Sequence, residues 1–214
     1  MSRIGHFSAG LSRIASLPML LEGELYRIRP WQRRRPDVLV GWGRKPGWQR
    51  AAAYAHRHGL PIWTLEDGFY RSLGLGVAGS PAQSLIIDPE GIYFDATAPS
   101  RLEWLMQQGE IDPDLHPRAQ GLLQRVREAR LSKYNAAPDR PLPADDGRPR
   151  VLVVDQTLND ASVTYGMADA GVFDDMLASA RSEHPDAEIL VRTHPDVLAG
   201  RKRGYLLEAA TKAG

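Results

Sequence analysis

The chain has 214 residues, of which 43% are hydrophobic and 25% charged, and its formal net charge is +1. These values are typical of a soluble globular protein with one or two domains; they exclude a disordered chain and an overall charge that would attract nucleic acid. There is no cysteine, which excludes disulfides, thiolate metal sites and cysteine nucleophiles. Because no apolar run is long enough for a bilayer span or a signal-peptide core, we expect a cytoplasmic protein.

The first part of the chain contains an apolar periodicity and a basic segment. Residues 4–21 carry apolar side chains at three- and four-residue steps, which predicts a short helix packed on a sheet. Residues 27–35 include five arginines and one tryptophan. This basic segment is either a solvated loop before a strand or a patch facing anionic lipid or an anionic acceptor.

A βαβ unit follows the basic segment. Residues 37–42 predict a strand, and a glycine-rich turn leads to an alanine-rich helix over residues 48–58 that Gly59 ends. Residues 60–65 predict the second strand. Strand, turn, helix and strand in this order are typical of an α/β sheet with parallel strands.

The middle of the chain predicts short strands and then helices. Residues 84–88 and 92–94 flank a proline–glycine turn, which indicates a hairpin or two short strands. Helices are predicted from residue 99 to about 108 and over residues 115–134. The proline-rich stretch 136–149 resembles a linker, so we place a domain boundary there.

Beyond the linker the pattern of strand and helix repeats. Residues 150–154 and 188–191 predict buried parallel strands, residues 170–184 a helix, and a further helix is possible from residue 202. A parallel sheet of two strands buries too little surface to be stable alone. We therefore expect either that this chain is a fragment with an incomplete second domain, or that its second half packs firmly on the first.

The strand at residues 60–65 runs into Glu66, Asp67 and Gly68. Ligands of open α/β sheets bind at the carboxyl ends of the strands, and a carboxylate held there suits a general acid or base. The alternative is a loop cap, since Asp before Gly is common in turns.

The strand at residues 150–154 runs into a second acidic segment. Asp155 continues the strand, and Asp160 lies on the following loop, after Gln156 and before Ser162. A carboxylate in this position can act as a nucleophile toward a sugar carbon. The alternative for Asp160 or Ser162 is helix N-capping, and Asp155 could instead bind backbone amides.

Basic residues follow two of the predicted strands. Arg192 and His194 come after the strand at residues 188–191 and suit a phosphate, although His194 could instead be a structural histidine. Arg44 and Lys45 lie in the glycine-rich turn and either bind an anion or complete the turn. No histidine pair has metal-ligand spacing, so we predict no metal site.

Several segments together resemble the capsular polysaccharide proteins of the KpsC and LipA type. These segments are GWGRKP at 41–46, HGLP at 58–61, LEDGF at 65–69, RSLGLG at 71–76, GIYFDAT at 91–97, VVDQT at 153–157, THPD at 193–196 and KRGY at 202–205. The family has an acidic–acidic–Gly motif, a Gln-x-x-x-Asp motif and a His-Pro motif. They match residues 66–68, 156–160 and 194–195.

The resemblance implies a GT-B-like α/β fold with two Rossmann-type domains and parallel sheets. Residues 1–140 would form the acceptor-side domain, and residues 148–214 would begin the nucleotide-sugar domain, which is incomplete. It also implies a retaining β-Kdo transferase. Such an enzyme moves Kdo (3-deoxy-D-manno-oct-2-ulosonic acid) from CMP-Kdo to a Kdo-bearing phosphatidylglycerol-type lipid, as part of the capsule linker.

The resemblance assigns roles to the residues singled out above. Asp160 would be the nucleophile with Asp155 in reserve, Glu66 the general base with Asp67 in reserve, and His194 would stabilise the departing phosphate. The remaining residues predicted to bind substrate are Gln156, Arg44, Lys45, Arg192, Gly68 and Ser162.

No cofactor is expected besides the donor CMP-Kdo. The expected partners are the lipid-linked Kdo acceptor at the inner membrane surface and other capsule biosynthesis and export proteins, with a peripheral location on that membrane. Two alternatives remain open: a sialyltransferase-like enzyme that uses another CMP-sugar, and a non-catalytic capsule export component.

Overall fold

The structure, a computed structural model, describes residues 1–31, 34–73, 80–109, 112–133, 135, 141 and 144–206. The chain divides into two compact units, Met1–Asp139 and Arg140–Gly214. Among the described residues, no helix is both long and apolar enough to cross a bilayer.

The first unit is built on a five-stranded sheet with the order β2-β1-β3-β4-β5. The strands are β1 (Ser2–His6), β2 (Gly23–Arg27), β3 (Val38–Trp42), β4 (Ile62–Asp67) and β5 (Leu85–Asp88). The first four strands pair in parallel, and β5 pairs antiparallel with β4. The predicted α/β class with a mainly parallel sheet is therefore confirmed, while the strand predicted at residues 92–94 is wrong because these residues form a turn.

Four α-helices accompany the described part of this sheet. They are α1 (Leu17–Leu20), α2 (Pro46–His58), α3 (Arg101–Gln108) and α4 (His116–Glu128). Helix α2 begins at a proline, whose fixed φ suits the first turn, and ends at Gly59, which adopts the left-handed conformation at φ 62°.

Two apolar layers cover the two faces of the sheet. On one face, Leu39 packs against Ala51 and Ala55 of α2. On the other face, Ile4 and the neighbouring strands pack against Leu11, Leu17 and Leu21. Residues 4–21 are thus one strand and two short helical turns, and the predicted single helix is wrong. Gly5 leaves room in β1 for Ile28, Pro36 and Leu39, and Pro18 starts a new helix.

The second unit contains a two-stranded parallel sheet in its described residues. Strands β6 (Arg150–Val154) and β7 (Glu188–Arg192) pair from end to end. The helices are α5 (Ala161–Tyr165), α6 (Ala170–Glu183) and α7 (Pro195–Leu198). The core joins Val153 to Phe173 and Leu177 of α6 and to Leu206.

Only one face of this second sheet is covered in the described residues. Leu152 is 62% and Val154 48% exposed, while Val153 between them is buried. The sequence predicted a strand buried on both faces, and this is wrong for the described part of the unit because α6 packs on one side only. Residues 202–206 are not helical, and residues 207–214 lie outside the described residues.

We expect Gly41→Ala to destabilise the first unit. A Cβ on Gly41 would lie 2.5 Å from Cα and 2.6 Å from Cβ of Trp48, so α2 would have to move away from β3. Overpacking of this kind costs about 1–3 kcal/mol of unfolding free energy. Chemical denaturation of Gly41→Ala and of the unsubstituted protein measures this loss of unfolding free energy. The control is Gly121→Ala, where a Cβ meets nothing within 4 Å; an equal loss there would contradict the prediction.

Candidate active site

Glu66 lies at the carboxyl end of β4, beside the end of β3. Its Oε1 accepts hydrogen bonds from the indole N–H of Trp42 and the backbone N–H of Asp67, both at 3.0 Å. A Cβ on Gly43, which has φ +49°, would lie 3.2 Å from Oε2 of Glu66. The end of β3 therefore fixes the orientation of this carboxylate.

The surroundings of Glu66 raise its pKa above the ordinary value. Burial is the main cause, and the neighbouring Asp67 carboxylate adds to it. The hydrogen bonds from Asp67 N–H and Trp42, and the charge of Lys45, oppose the shift without cancelling it. A carboxylate with a raised pKa is a stronger base once it is ionised, which suits proton abstraction from a hydroxyl.

Asp67 and Gly68 have internal partners instead. The Nε of Arg71 donates to Oδ1 of Asp67 at 2.7 Å, and both side chains are mostly buried. Gly68 packs on β5, where a Cβ would lie 1.9 Å from Oγ of Ser84. These positions indicate that Asp67 orders the loop and that Gly68 provides close packing, so their predicted places as reserve base and substrate ligand are not supported.

Arg44 is an internal cation. Its Nε donates to Oδ2 of Asp95 at 2.7 Å, its guanidinium lies 4.1 Å from the ring centre of Trp48, and it is buried. The prediction that Arg44 binds a substrate anion is therefore not supported. Lys45, the next residue, is exposed and lies close enough to Glu66 to affect its pKa.

Asp155 is the structural acid of the second unit. It is 3% exposed, and its Oδ1 accepts hydrogen bonds from the backbone N–H groups of Gln156 and Tyr205 at 2.8 and 3.0 Å. Its Oδ2 is buried with no hydrogen-bond partner in the described part of the chain. A carboxylate in this position holds residues 203–205 against the loop and has almost no exposed surface, so Asp155 fits the predicted role of reserve nucleophile less well than Asp160 fits that of nucleophile.

Asp160 is half-buried on the loop between β6 and α5. Its Oδ1 accepts from the N–H of Ser162 at 2.9 Å and from Oγ of Ser162 at 2.8 Å, so it caps α5. Its Oδ2 has a longer contact with Oγ1 of Thr157, at 3.4 Å. The cap uses one oxygen and leaves the other weakly held, which is compatible with nucleophilic attack.

The pKa of Asp160 lies below its ordinary value. Burial alone would raise this pKa, but the two hydrogen bonds from Ser162, the charge of Lys202 and the contact with Thr157 outweigh it. Asp160 is consequently ionised at neutral pH, as a nucleophile must be. Glu66 of the first unit and Asp160 of the second therefore have pKa values shifted in opposite directions.

His194 follows β7, which pairs with β6 so that Val154 lies opposite Arg192. The Nδ1 of His194 accepts from the backbone N–H of Asp196 at 3.1 Å. This bond places the proton of the neutral ring on Nε2, which can then donate to a phosphate oxygen. Arg192 is exposed and Gln156 half-buried at the same edge, so Asp155, Gln156, Arg192 and His194 come together at two strand ends.

Three neighbours of these residues were not predicted as functional. Trp42 binds Glu66, Arg71 binds Asp67, and Lys202 lies near Asp160 and Asp196. All three lie in segments that carry the family resemblance, at residues 41–46, 71–76 and 202–205, and this was their signal in the sequence. Within the described ranges, no three acidic or histidine side chains come together as a metal site requires.

Sequence comparisons place the chain among proteins of capsule and lipopolysaccharide metabolism. A family model described as capsule polysaccharide biosynthesis protein matches residues 37–137 and 114–213. The capsule polysaccharide modification protein LipA of Neisseria meningitidis serogroup B is 43% identical over 208 residues, which are 95% of this chain and 29% of that protein. The lipopolysaccharide-processing protein LpsZ of Rhizobium meliloti is 39% identical over 175 residues, 79% of this chain and 39% of that protein.

Two solved structures of Thermosulfurimonas dismutans KpsC resemble the chain. Its β-Kdo 2,4 transferase is 41% identical with a TM-score of 0.86, over 96% of this chain and 64% of that one. Its β-Kdo 2,7 transferase is 25% identical with a TM-score of 0.56, over 91% of this chain and 61% of that one. The first match confirms the predicted GT-B-like α/β fold class. The chain spans about 29% of LipA and less than two thirds of either structure.

We expect Arg44→Met to destabilise the protein strongly. The substitution leaves the buried Asp95 carboxylate without its cation, and breaking a buried pair in this way costs about 3–5 kcal/mol. Denaturant unfolding measures the loss. The matched control is Lys45→Met at the exposed neighbouring position, for which we expect little change; a stable Arg44→Met protein would show that the pair is not structural.

We expect Trp42→Phe to raise the pKa of Glu66 further, because the indole N–H stabilises the ionised carboxylate. Carbon-detected NMR titration of the Glu66 carboxyl group measures this pKa. The control is Trp48→Phe, which removes an indole N–H that donates to Thr64 at 2.9 Å rather than to Glu66. An unchanged pKa in Trp42→Phe would contradict the role assigned to the indole.

Proposed function

Because the chain belongs to the capsule polysaccharide biosynthesis protein family, we propose that it carries the catalytic residues of a retaining β-Kdo transferase. The donor is CMP-Kdo, and the acceptor is a Kdo-bearing phosphatidylglycerol-type lipid of the capsule linker. The main support is the 41% identity with the β-Kdo 2,4 transferase, together with an ionised, half-buried Asp160 on the loop after β6. The lower similarity to the 2,7 transferase favours a β-2,4 product.

In the first step Asp160 attacks the anomeric carbon of Kdo. A bond forms between a carboxylate oxygen of Asp160 and this carbon, and the bond from the carbon to the phosphate of CMP breaks. CMP leaves with the electron pair. The anomeric carbon is tertiary, so positive charge develops on the sugar before the new bond is complete, and the negative charge of Asp160 stabilises it.

His194 stabilises the departing phosphate in this step. CMP needs little protonation to leave, but charge accumulates on its phosphate oxygens as the bond breaks. The Nε2–H of His194 donates a hydrogen bond to a phosphate oxygen and stabilises this charge. The backbone N–H of Asp196 donates to Nδ1 and so keeps the ring in the tautomer with the proton on Nε2.

In the second step an acceptor hydroxyl attacks the glycosyl-enzyme ester. Glu66 takes the hydroxyl proton as the oxygen bonds to the anomeric carbon, and Asp160 leaves as a carboxylate. Two successive inversions give net retention, so β-linked CMP-Kdo yields a β-linked product. The raised pKa of Glu66 makes it a stronger base than an ordinary glutamate.

We expect Asp160→Ala to reduce transfer in the intact protein by roughly 10³-fold or more, and Glu66→Gln by roughly 10²–10⁴-fold. The assay measures CMP release from CMP-Kdo in the presence of a synthetic Kdo-terminated acceptor, with CMP-sialic acid as the comparison donor. Mass spectrometry of Glu66→Gln protein exposed to CMP-Kdo is expected to show one covalent Kdo on the peptide that contains Asp160.

Two controls accompany this prediction. Asp174→Ala and Asp175→Ala remove exposed carboxylates of α6 and are expected to leave transfer unchanged. If Asp160→Ala retained full transfer, or the Kdo adduct persisted in it, the nucleophile would be another residue. Equal use of CMP-sialic acid would contradict the assignment of the donor.

We also expect kcat/KM to fall as pH decreases through the pKa of Glu66, because the base must be ionised. This pKa is raised above its ordinary value, so the loss begins at a higher pH than it would for an exposed glutamate. In Trp42→Phe the acidic limb of the pH profile is expected to move to higher pH still, whereas in Trp48→Phe it stays in place.

A further inference from the structure

Helix α4 has an exposed apolar stripe flanked by arginines. Leu122 and Leu123 are 54% and 52% exposed, and Leu115, at the start of the helix, is 49% exposed. None of the thirteen residues of α4 is buried. A Cβ on Gly121 would meet nothing within 4 Å in the described structure, so no described element packs on this part of the helix.

The charges on α4 are mostly of one sign. Arg118, Arg125 and Arg127 are all exposed, and Glu128 is the one acidic residue of the helix. Among the described residues, none of the three arginines forms an ion pair. Helical geometry puts Arg118 and Arg125 beside the stripe that contains Leu115 and Leu122.

A basic helix with an apolar stripe is the form that binds in the plane of an anionic bilayer surface. The leucines enter the boundary between head groups and acyl chains, and the arginines meet lipid phosphates at either side. An acidic protein groove would satisfy the same charges. The bilayer is the better match because the leucines are exposed on a helix that has no buried residue, so a flat apolar layer can reach them without a complementary groove.

The segment that follows α4 is hydrogen-bonded to the loop that follows the acidic motif. The carbonyl of Lys133 accepts hydrogen bonds from the backbone N–H groups of Arg71 and Ser72 at 3.3 and 3.4 Å. The N–H of Asn135 donates to the carbonyl of Leu73 at 2.7 Å. Arg71 in turn binds Asp67, the neighbour of Glu66. The position of α4 is thus coupled to the segment that carries the base.

We propose that α4 docks on the surface of an anionic lipid bilayer and holds the Glu66 segment close to it. This inference rests on the proposed function, in which the acceptor is a lipid. It differs from the basic patch predicted at residues 27–35. There, Arg34 pairs with Glu24 and Arg35 donates to the carbonyl of His58, so two of the arginines have partners within the protein.

The test is co-sedimentation with vesicles of phosphatidylcholine alone or with phosphatidylglycerol added. We expect binding only to the vesicles that contain phosphatidylglycerol. The triple substitution Arg118→Gln, Arg125→Gln and Arg127→Gln is expected to weaken it about 100-fold, since each basic residue near the surface contributes roughly fivefold. The control triple Arg13→Gln, Arg50→Gln and Arg57→Gln changes the net charge equally and is expected to weaken binding about threefold at most.

The apolar stripe is tested separately. Leu122→Ser with Leu123→Ser is expected to weaken vesicle binding about tenfold or more, whereas Val172→Ser with Met176→Ser, at exposed positions of α6, is expected to have no effect. Hydrogen–deuterium exchange of the unsubstituted protein is expected to show protection of α4, and not of α2, when anionic vesicles are added.

Three results would overturn the inference. They are equal binding to neutral vesicles, equal weakening by the two arginine triples, and exchange of α4 that vesicles do not change. The proposed function is tested independently by CMP release with a short-chain acceptor in solution, where no membrane is present. Loss of that activity with intact vesicle binding would reject the transferase, and the reverse would reject the docking surface.

Discussion

In each unit, parallel strand pairing puts the carboxyl ends of neighbouring strands at one edge, and every proposed catalytic residue lies at or beyond such an end. Glu66 is the penultimate residue of β4, beside the end of β3, and His194 follows β7, which pairs with β6, the strand that leads to Asp160. In open α/β sheets ligands bind outside the carboxyl ends of the strands, so side chains at and just beyond these ends are the ones that a ligand can meet. The chemistry of the chain depends on this pairing.

Each acidic segment contains two carboxylates with different surroundings. Asp67 is bound by Arg71, and Asp155 accepts two backbone N–H groups, so each holds a loop in place. Their partners Glu66 and Asp160 have altered pKa values in opposite directions. A carboxylate that orders the loop fixes the position of the one that we propose to react, which would lower the entropy cost of reaching the transition state.

The two basic residues after β3 also have different surroundings. Arg44 and Lys45 are adjacent in sequence, yet one is buried against Asp95 and Trp48 and the other is exposed near Glu66. A guanidinium can be buried because its planar group stacks on an indole while it pairs with a carboxylate. The exposed ammonium of Lys45 is close enough to Glu66 for its positive charge to lower the pKa of that carboxyl group.

The sequence by itself determined the α/β class, most strands and helices, and the acidic and His-Pro segments at the strand ends, because periodicity and turn residues are local properties. It did not determine that residues 4–21 begin as a strand, since burial of Ile4 depends on β3 and on the segment that covers it. Only the tertiary structure decided the burial and the hydrogen-bond partners of these carboxylates. Hydrogen-bond partners such as Tyr205 for Asp155, and Trp42 for Glu66, are distant in sequence and meet only when the chain folds.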